Sequence, residues 1–133
     1  HIIRNPRNVL LSYVRFTKAQ VTTGFIIGAM SDFLGQSIRQ VFEDYQPWLL
    51  DPSTLTVKFE NLISDSGETV NLIADYLNVP FLDDVYENIE GLTKTWTGDY
   101  SNWKTVWNGD IEAAWIAADG LQIELDYGYV NNY

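Results

Sequence analysis

An arginine and a serine near the start of the chain have the spacing of an anion-binding pair. Arg4 directly follows the apolar pair Ile2-Ile3. Ser12 lies roughly 9 Å along the axis of a helix that begins near Pro6, at about 1.5 Å per residue. A guanidinium that reaches along that helix face can share one phosphate monoester with the serine hydroxyl. The alternative is that Arg4 pairs with an acidic side chain and Ser12 belongs to a polar helix face.

The charge distribution favours a local anion site in the same place. Half of the eight lysines and arginines lie in residues 1–18, which contain no aspartate or glutamate. The whole chain nevertheless has a net charge of −10. Such a protein repels anions in general, so a basic island predicts one specific anion site. The same charge argues against binding to nucleic acids and to anionic membranes.

The remaining composition excludes several other kinds of site. There is no cysteine and only one histidine, which excludes disulfides, thiol nucleophiles and thiolate zinc sites. No apolar run approaches the roughly 20 residues that span a bilayer. The lack of cysteine is typical of a cytoplasmic protein, and we predict that location.

The elements around Arg4 follow from local sequence signals. Ile2-Ile3 predicts the end of a buried parallel strand. Asn5 is a good N-cap and Pro6 suits the first helical position, so we predict a helix from Pro6 to about Lys18. The predicted apolar side of this helix comprises Val9, Leu10, Tyr13, Val14 and Thr17, and the polar stripe comprises Asn5, Asn8, Ser12 and Arg15.

Further elements alternate between helices and one more strand. Ser31 or Asp32 is predicted to cap a second helix that Pro47 ends. A turn at Asp51-Pro52-Ser53 leads into a strand at Leu55–Phe59. The later predictions are a helix capped by Asp65 or Ser66 with Val70, Ile73, Ala74 and Leu77 inward, closure at Asn78-Val79-Pro80, a helix at Leu82–Ile89, a loop at Gly91–Lys104 and a last helix from Asp110 to Leu125 that Gly120 weakens.

This order of elements predicts an α/β fold that is helix-rich with a few parallel strands. We expect residues 1–133 to form a single domain. Two strands are too few for a stable sheet, so we expect either that more sequence precedes His1 or that this chain is a trimmed version of a larger fold. The five tryptophans are expected to pack in the core, and Trp103 and Trp107 are spaced to share a helix face.

The segment Arg4-Asn5-Pro6-Arg7-Asn8-Val9-Leu10-Leu11-Ser12-Tyr13 resembles the 3′-phosphate-binding motif of the sulfotransferases. These enzymes use 3′-phosphoadenosine 5′-phosphosulfate (PAPS). The resemblance implies an incomplete P-loop-like fold in which Arg4 and Ser12 hold the 3′-phosphate. It assigns no role to Arg7, which matches a variable position.

Two later segments are also similar to that family. Val57-Lys58-Phe59-Glu60-Asn61-Leu62 resembles a strand and Tyr-Glu-Asp-Leu turn, where Phe59 replaces a tyrosine beside the adenine and can stack but not donate a hydroxyl bond. The segment from Gly98 to Lys104 resembles a Gly-Asp-Trp-Lys loop, which makes Gly98 and Lys104 expected nucleotide contacts. The family's Arg-Lys pair falls on Trp96-Thr97, so two cationic contacts are missing, and Lys94 is the candidate substitute.

The resemblance implies transfer of a sulfuryl group from PAPS to a hydroxyl or amine acceptor, with adenosine 3′,5′-bisphosphate as the nucleotide product. This chain would supply the 3′-phosphate and adenine site and correspond to the C-terminal portion of a family member. The loop for the 5′-phosphosulfate and the histidine base are expected ahead of His1, so we expect this fragment alone to be inactive. The expected partners are the small-molecule nucleotide and a hydroxyl-bearing acceptor, and a homo-oligomer is compatible with this interpretation. The alternatives are a non-catalytic sulfotransferase-like remnant and an unrelated acidic helical interaction module.

Overall fold

The computed structural model describes residues 1–17, 21–32, 38–64, 66–80 and 102–129. These residues form two short parallel strands and a larger set of helices, which confirms the helix-rich α/β prediction. In chain order the elements are β1 (Ile2–Ile3), α1 (Pro6–Thr17), α2 (Thr23–Asp32), α3 (Ile38–Leu50), β2 (Val57–Lys58), α4 (Phe59–Ser64), α5 (Ser66–Leu77), a 3-10 helix (Asn102–Thr105), α6 (Gly109–Ala117) and α7 (Gly120–Asp126).

The two strands pair in the register that brings Arg4 beside Phe59. Ile2 lies opposite Val57 and Ile3 opposite Lys58 in a parallel arrangement. The second strand is predicted at Leu55–Phe59 but spans only Val57–Lys58, because α4 already begins at Phe59. Since parallel strands end at the same edge, the residues that follow each strand emerge together there.

Helix α1 begins and ends where the sequence predicts. The Asn5 side-chain oxygen accepts a hydrogen bond from the Arg7 amide at 2.9 Å, which confirms Asn5 as the cap. Leu10 and Val14 are buried as predicted, but Leu11 is buried as well, and the predicted inward position of Tyr13 is wrong because this side chain is exposed. The buried face of α1 differs from the predicted one because α2 packs on α1 from one direction and the 3-10 helix and α7 contact it too.

The predicted second helix is wrong at both ends. Ser31 and Asp32 lie in the last turn of α2 and do not begin a new helix. The Gly24–Met30 stretch is helical because Ile26 and Met30, one turn apart, are buried against α1 and α6. Pro47 lies inside α3, which continues to Leu50. Pro47 is exposed, so water can satisfy the carbonyl that its missing amide leaves unpaired.

Helix α4 is an element that the sequence did not predict, and it packs on α5. Val70 and Ala74 of α5 are buried as expected, whereas Leu77 is 58% exposed and its predicted inward position is wrong. The closure at Asn78 is confirmed, because that residue has a left-handed backbone with φ of 52°. The turn at Asp51 is also confirmed, since its carboxylate accepts a bond from the Ser53 amide at 2.9 Å. The helix predicted at Leu82–Ile89, most of the loop at Gly91–Lys104 and the capping residue Asp65 lie outside the described residues.

The predicted last helix is in fact two helices. Asn108 caps α6 by accepting bonds from the Asp110 and Ile111 amides. The chain leaves the helix at Ala118, and Asp119 adopts a left-handed backbone with φ of 59° before α7 begins. Aspartate tolerates this conformation better than most residues. The weak point predicted at Gly120 is therefore a complete break.

The core lies between α1, α2 and the C-terminal helices. Its buried members come from residues 1–32 and 102–129, and they are Ile3, Leu10, Leu11, Val14, Ile26, Met30, Trp103, Ile111, Trp115, Ile123, Tyr127 and Tyr129. Trp103 and Trp107 are in edge-to-face contact with ring centroids 5.4 Å apart. The prediction that the tryptophans pack in the core is confirmed for Trp103 and Trp115, and Trp107 is partly buried against them. It is wrong for Trp48, which is 55% exposed, and Trp96 lies outside the described residues. Within the described ranges, no helix has the length and apolar character needed to cross a membrane.

Gly120 should be intolerant of any side chain. A Cβ placed there would lie 2.2 Å from the Trp115 ring, which is fully buried and has no room to move. We expect Gly120→Ala to lower the free energy of unfolding by about 1–3 kcal/mol through overpacking. Urea denaturation followed by tryptophan fluorescence measures this.

The matched control is Gly109→Ala at the corresponding first position of α6, where a Cβ meets nothing within 4 Å. This variant should be as stable as the parent protein or slightly more stable. Equal destabilisation by both substitutions would contradict the packing argument.

Candidate functional site

Arg4 lies where the two strands end, against an aromatic ring. Its guanidinium carbon is 4.9 Å from the centroid of the Phe59 ring. This contact follows from the strand register, which places both residues at the carboxyl edge of the sheet. The structure therefore brings together two of the residues that the resemblance assigns to nucleotide binding.

The Arg4 guanidinium carries a buried donor. Its Nε atom has no hydrogen-bond partner within the part of the chain that the structure describes. The ion pairs within the described part of the chain both belong to Arg7, so no carboxylate there lies within 4.0 Å of the Arg4 nitrogens. Burial lowers the pKa of Arg4 from its ordinary value, and the nearby Glu60 carboxylate opposes that shift. A half-buried cation with an unsatisfied donor is the arrangement that an anionic ligand would complete.

Glu60 lies beside Arg4 but directs its oxygens to other groups. One oxygen accepts a hydrogen bond from the Asn5 amide at 2.9 Å, and the other accepts one from the Tyr129 hydroxyl at 2.7 Å. Burial raises the pKa of Tyr129, and the bond to Glu60 raises it further. The carboxylate is therefore engaged on both sides without forming an ion pair with Arg4.

Ser12 is exposed on α1. Arg15 is one turn beyond Ser12 on the same face of the helix, and its charge adds slightly to the lowering of the Arg4 pKa by burial. The role assigned to Ser12 remains a prediction.

The third similar segment is described only at its end. Gly98 lies outside the described residues. Lys104 is exposed in the 3-10 helix, and its ammonium lies 5.6 Å from the centroid of the Trp103 ring. Among the described residues, this ring is the partner that the structure gives Lys104. The assignments of Gly98 and Lys104 remain predictions.

Arg7, to which the sequence assigned no role, is the most heavily engaged charge among the described residues. It is only 1% exposed. Its Nε and one terminal nitrogen donate to the two oxygens of Glu124 at 2.7 and 3.1 Å. Both terminal nitrogens also donate to Glu112, one of them at 3.1 Å. Two carboxylates thus grip one guanidinium in a doubly bidentate arrangement.

Tryptophan rings enclose this cluster. The Arg7 guanidinium carbon lies 4.7 Å from the Trp103 ring centroid and 4.9 Å from that of Trp107. The Trp107 indole also donates to Glu112 at 2.6 Å. The aromatic rings therefore stabilise the cation, and the indole hydrogen bond stabilises Glu112, which together offset the cost of burying these charges.

The pKa values of the cluster follow from this geometry. Burial by itself lowers the pKa of Arg7, but the hydrogen bonds to Glu124 and Glu112 outweigh it and raise that pKa. Burial by itself raises the pKa of Glu112, but the bonds from Arg7 and Trp107 outweigh it and lower that pKa. No local pattern connects Arg7 with acids more than a hundred residues away. The spacing of Trp103, Trp107 and Trp115 was the available signal of a buried cation.

An open cleft of about 880 Å³ lies elsewhere, between α4 and α5. It is lined mainly by polar side chains, among them Asn61, Thr69 and Asp75. Neither Arg4, Ser12 nor Phe59 lines it. In the described segments, no three histidines, aspartates or glutamates group as metal ligands would.

Removal of Arg7 should destabilise the whole protein. Arg7→Met retains an apolar stem but leaves two carboxylates facing each other without a cation. We expect a loss of about 3–5 kcal/mol in the free energy of unfolding, measured by urea denaturation. Arg15→Met, an exposed arginine of the same helix, is the matched control and should change stability by no more than about 0.5 kcal/mol. Similar losses in both variants would contradict the anchoring role of Arg7.

The Glu112 carboxylate should make stability depend on pH. Its pKa in the folded protein is below the ordinary value of 4.5, so its contribution is present above that value and is lost as pH falls through the folded pKa. We expect the stability difference between the parent and Glu112→Gln to be largest near pH 7 and to shrink below pH 4.5. Denaturation across this range measures it, with Glu43→Gln on an exposed helix face as control. A difference that does not change with pH would contradict the ion pair.

Comparison with known proteins identifies the family. A family model described as the sulfotransferase domain matches residues 1–104. Searches of curated proteins and of solved structures returned no match. The matched residues run from β1 to the 3-10 helix and include Arg4, Ser12 and Phe59. This chain belongs to the sulfotransferase domain family.

Proposed function

We propose that this chain binds the 3′-phosphate and the adenine of PAPS for a sulfotransferase. Membership of the family supports a sulfotransferase-type function. The observation that carries the finer proposal is the buried, unpartnered Nε of Arg4 at the carboxyl ends of β1 and β2. Ligands of open parallel sheets gather at that edge.

Arg4 supplies the charge that this proposal needs. A buried donor without a partner costs roughly 1–3 kcal/mol, and a phosphate oxygen at Nε would remove that cost. A guanidinium can donate two parallel bonds to one phosphate. The absence of an ion pair to Glu60 within the described residues leaves the Arg4 charge available for a ligand.

Ser12 and Arg15 support the same location for the 3′-phosphate. Arg15 lies on the same face of α1 as Ser12 and repels the Arg4 guanidinium, so a phosphate bound there would be attracted by both cations. Ser12 is on that face, one turn nearer to the start of the helix. Its exposed hydroxyl can donate to an anion that Arg4 also holds.

Phe59 provides a flat surface beside the cation. Its ring already stacks with the Arg4 guanidinium at 4.9 Å. We propose that the adenine packs against this ring, as the family's tyrosine position implies. Phenylalanine offers stacking area without a hydroxyl, so adenine recognition here relies more on shape than in relatives with tyrosine. Gly98 and Lys104 complete the proposed site from the third segment.

PAPS supplies the sulfuryl group for transfer when it is bound. The residues of this chain assigned above bind and orient the nucleotide, and none of them is placed to take a proton from an acceptor. We therefore propose that the 133 residues bind the nucleotide but do not transfer sulfate by themselves. The acceptor carries a hydroxyl or an amine, in keeping with the family chemistry.

Calorimetric titration tests the proposed site. The protein should bind adenosine 3′,5′-bisphosphate more tightly than adenosine 5′-monophosphate, which lacks the 3′-phosphate. Arg4→Ala should weaken bisphosphate binding by roughly 10- to 100-fold, the range for a hydrogen bond to a charged group. Ser12→Ala should weaken it by about three- to tenfold.

Ser64→Ala is the matched control, because this exposed serine lines the cleft between α4 and α5. It should bind the bisphosphate as the parent does. Equal affinity for the two nucleotides, or bisphosphate binding that survives Arg4→Ala, would contradict the proposal.

A further inference from the structure

Tyr129, in the tail that follows α7 (residues 127–129), is connected through Glu60 to the backbone of the segment that carries Arg4. Tyr129 is 3% exposed, and its hydroxyl donates to one oxygen of Glu60 at 2.7 Å. The other oxygen of Glu60 accepts from the Asn5 amide at 2.9 Å. Asn5 directly follows Arg4, so a single carboxylate links the tail to the peptide unit that carries Arg4.

Lys58 makes a second set of contacts to this tail. The Lys58 ammonium donates to the Gly128 carbonyl at 2.6 Å and lies 4.6 Å from the Tyr129 ring centroid. Lys58 pairs with Ile3 in the sheet. The hydroxyl of Tyr129 is therefore held against Glu60 by contacts that do not involve Arg7.

We propose that Tyr129 and Glu60 are positioning residues that hold the Arg4 guanidinium in the orientation that binds the 3′-phosphate. This inference rests on the proposed nucleotide site. Tyr129 orients the Glu60 carboxylate, and Glu60 fixes the Asn5 amide. Neither residue is assigned to contact the ligand.

The negative charge of Glu60 has an effect on Arg4 that is distinct from the hydrogen bonds of its oxygens. Burial lowers the pKa of Arg4, and the Glu60 carboxylate opposes that shift because the two charges attract each other. The same carboxylate competes with an incoming phosphate for the Arg4 charge. We call the two hydrogen bonds that Glu60 accepts from Asn5 and Tyr129 the brace. Loss of the brace should weaken ligand binding, whereas loss of the Glu60 charge with the brace intact should strengthen ligand binding.

Three variants distinguish these effects. Tyr129→Phe removes only the hydroxyl that orients Glu60. Glu60→Gln retains an oxygen for the Asn5 amide and an amide group that can donate to the Tyr129 oxygen, but it has no charge. Tyr127→Phe, at a buried tyrosine of the same tail, is the matched control.

Two measurements are needed. Hydrogen exchange by NMR at the Asn5 amide reports on the brace in the protein without ligand. Calorimetric titration with adenosine 3′,5′-bisphosphate and with adenosine 5′-monophosphate reports on the 3′-phosphate site. A merely structural defect would weaken binding of both nucleotides alike, whereas a positioning defect would weaken binding of the bisphosphate only.

Tyr129→Phe should speed hydrogen exchange at the Asn5 amide and weaken binding of the bisphosphate by about three- to tenfold, with little change in binding of the monophosphate. Glu60→Gln should strengthen binding of the bisphosphate by roughly two- to fivefold at low salt, and by less at high salt. Tyr127→Phe should leave both the exchange at Asn5 and the preference for the bisphosphate unchanged.

Parent protein that binds the bisphosphate, combined with Tyr129→Phe that changes neither exchange nor affinity, would overturn this inference alone. Weaker binding by Glu60→Gln would also overturn it, because the charge would then be aiding the ligand. Parent protein with no preference for the bisphosphate would overturn the proposed function and this inference together. That failure is recognised from the parent protein before any variant is made.

Discussion

The structure depends on one buried cation shared by two carboxylates. Arg7 projects from the first turn of α1, and it is bound by Glu112 of α6 and Glu124 of α7. Removing Arg7 leaves Glu112 and the buried Glu124 facing each other without a cation, which is far more costly than leaving an apolar gap. The arrangement therefore fixes three helices with respect to one another, and the tryptophan rings around it form much of the core.

This requirement explains why the C-terminal segment is two helices. Residues 112 and 124 of one continuous helix would be roughly 18 Å apart along its axis, too far to share a guanidinium. The left-handed backbone of Asp119 breaks the helix, and Gly120 lets α7 pack directly against the Trp115 ring. Both acids belong to the segment beyond the residues that match the family model. The family motif at the start of this chain is thus held in place by residues outside the match.

The two arginines of the motif have separate roles in this account. Arg7 has its hydrogen-bonding groups directed to carboxylates and contributes to folding. Arg4 has a buried Nε without a partner and lies at the edge of the sheet beside Phe59. The Glu60 carboxylate, which attracts Arg4, accepts hydrogen bonds from Asn5 and Tyr129. The structure thus neutralises Arg7 internally, and we propose that Arg4 binds a ligand, which is how an acidic chain can offer an anion site.

Sequence reasoning succeeded where the signals are local. The Asn5 cap, the apolar runs that form each strand and the turn at Asp51 each depend on neighbouring residues, and the structure confirms them. The motif from Arg4 to Ser12 likewise identified the family, which the match over residues 1–104 confirms.

Predictions failed where distant packing decides the outcome. Helix α2 forms because Ile26 and Met30 are buried by α1 and α6, and Pro47 is tolerated in α3 because its surroundings are exposed. The partners of Arg7 are more than a hundred residues away, and no periodicity connects them. The roles proposed for Tyr129 and Glu60 likewise required the coordinates.

The measurement that tests the division between the two arginines most directly is a ¹⁵N NMR titration of the arginine Nε–H signals with adenosine 3′,5′-bisphosphate. The Arg4 signal should shift as the ligand binds, since its Nε gains a phosphate oxygen as acceptor. The Arg7 signal should already resemble that of a hydrogen-bonded guanidinium and should stay in place throughout. A ligand that shifts Arg7 and leaves Arg4 unchanged would contradict the account.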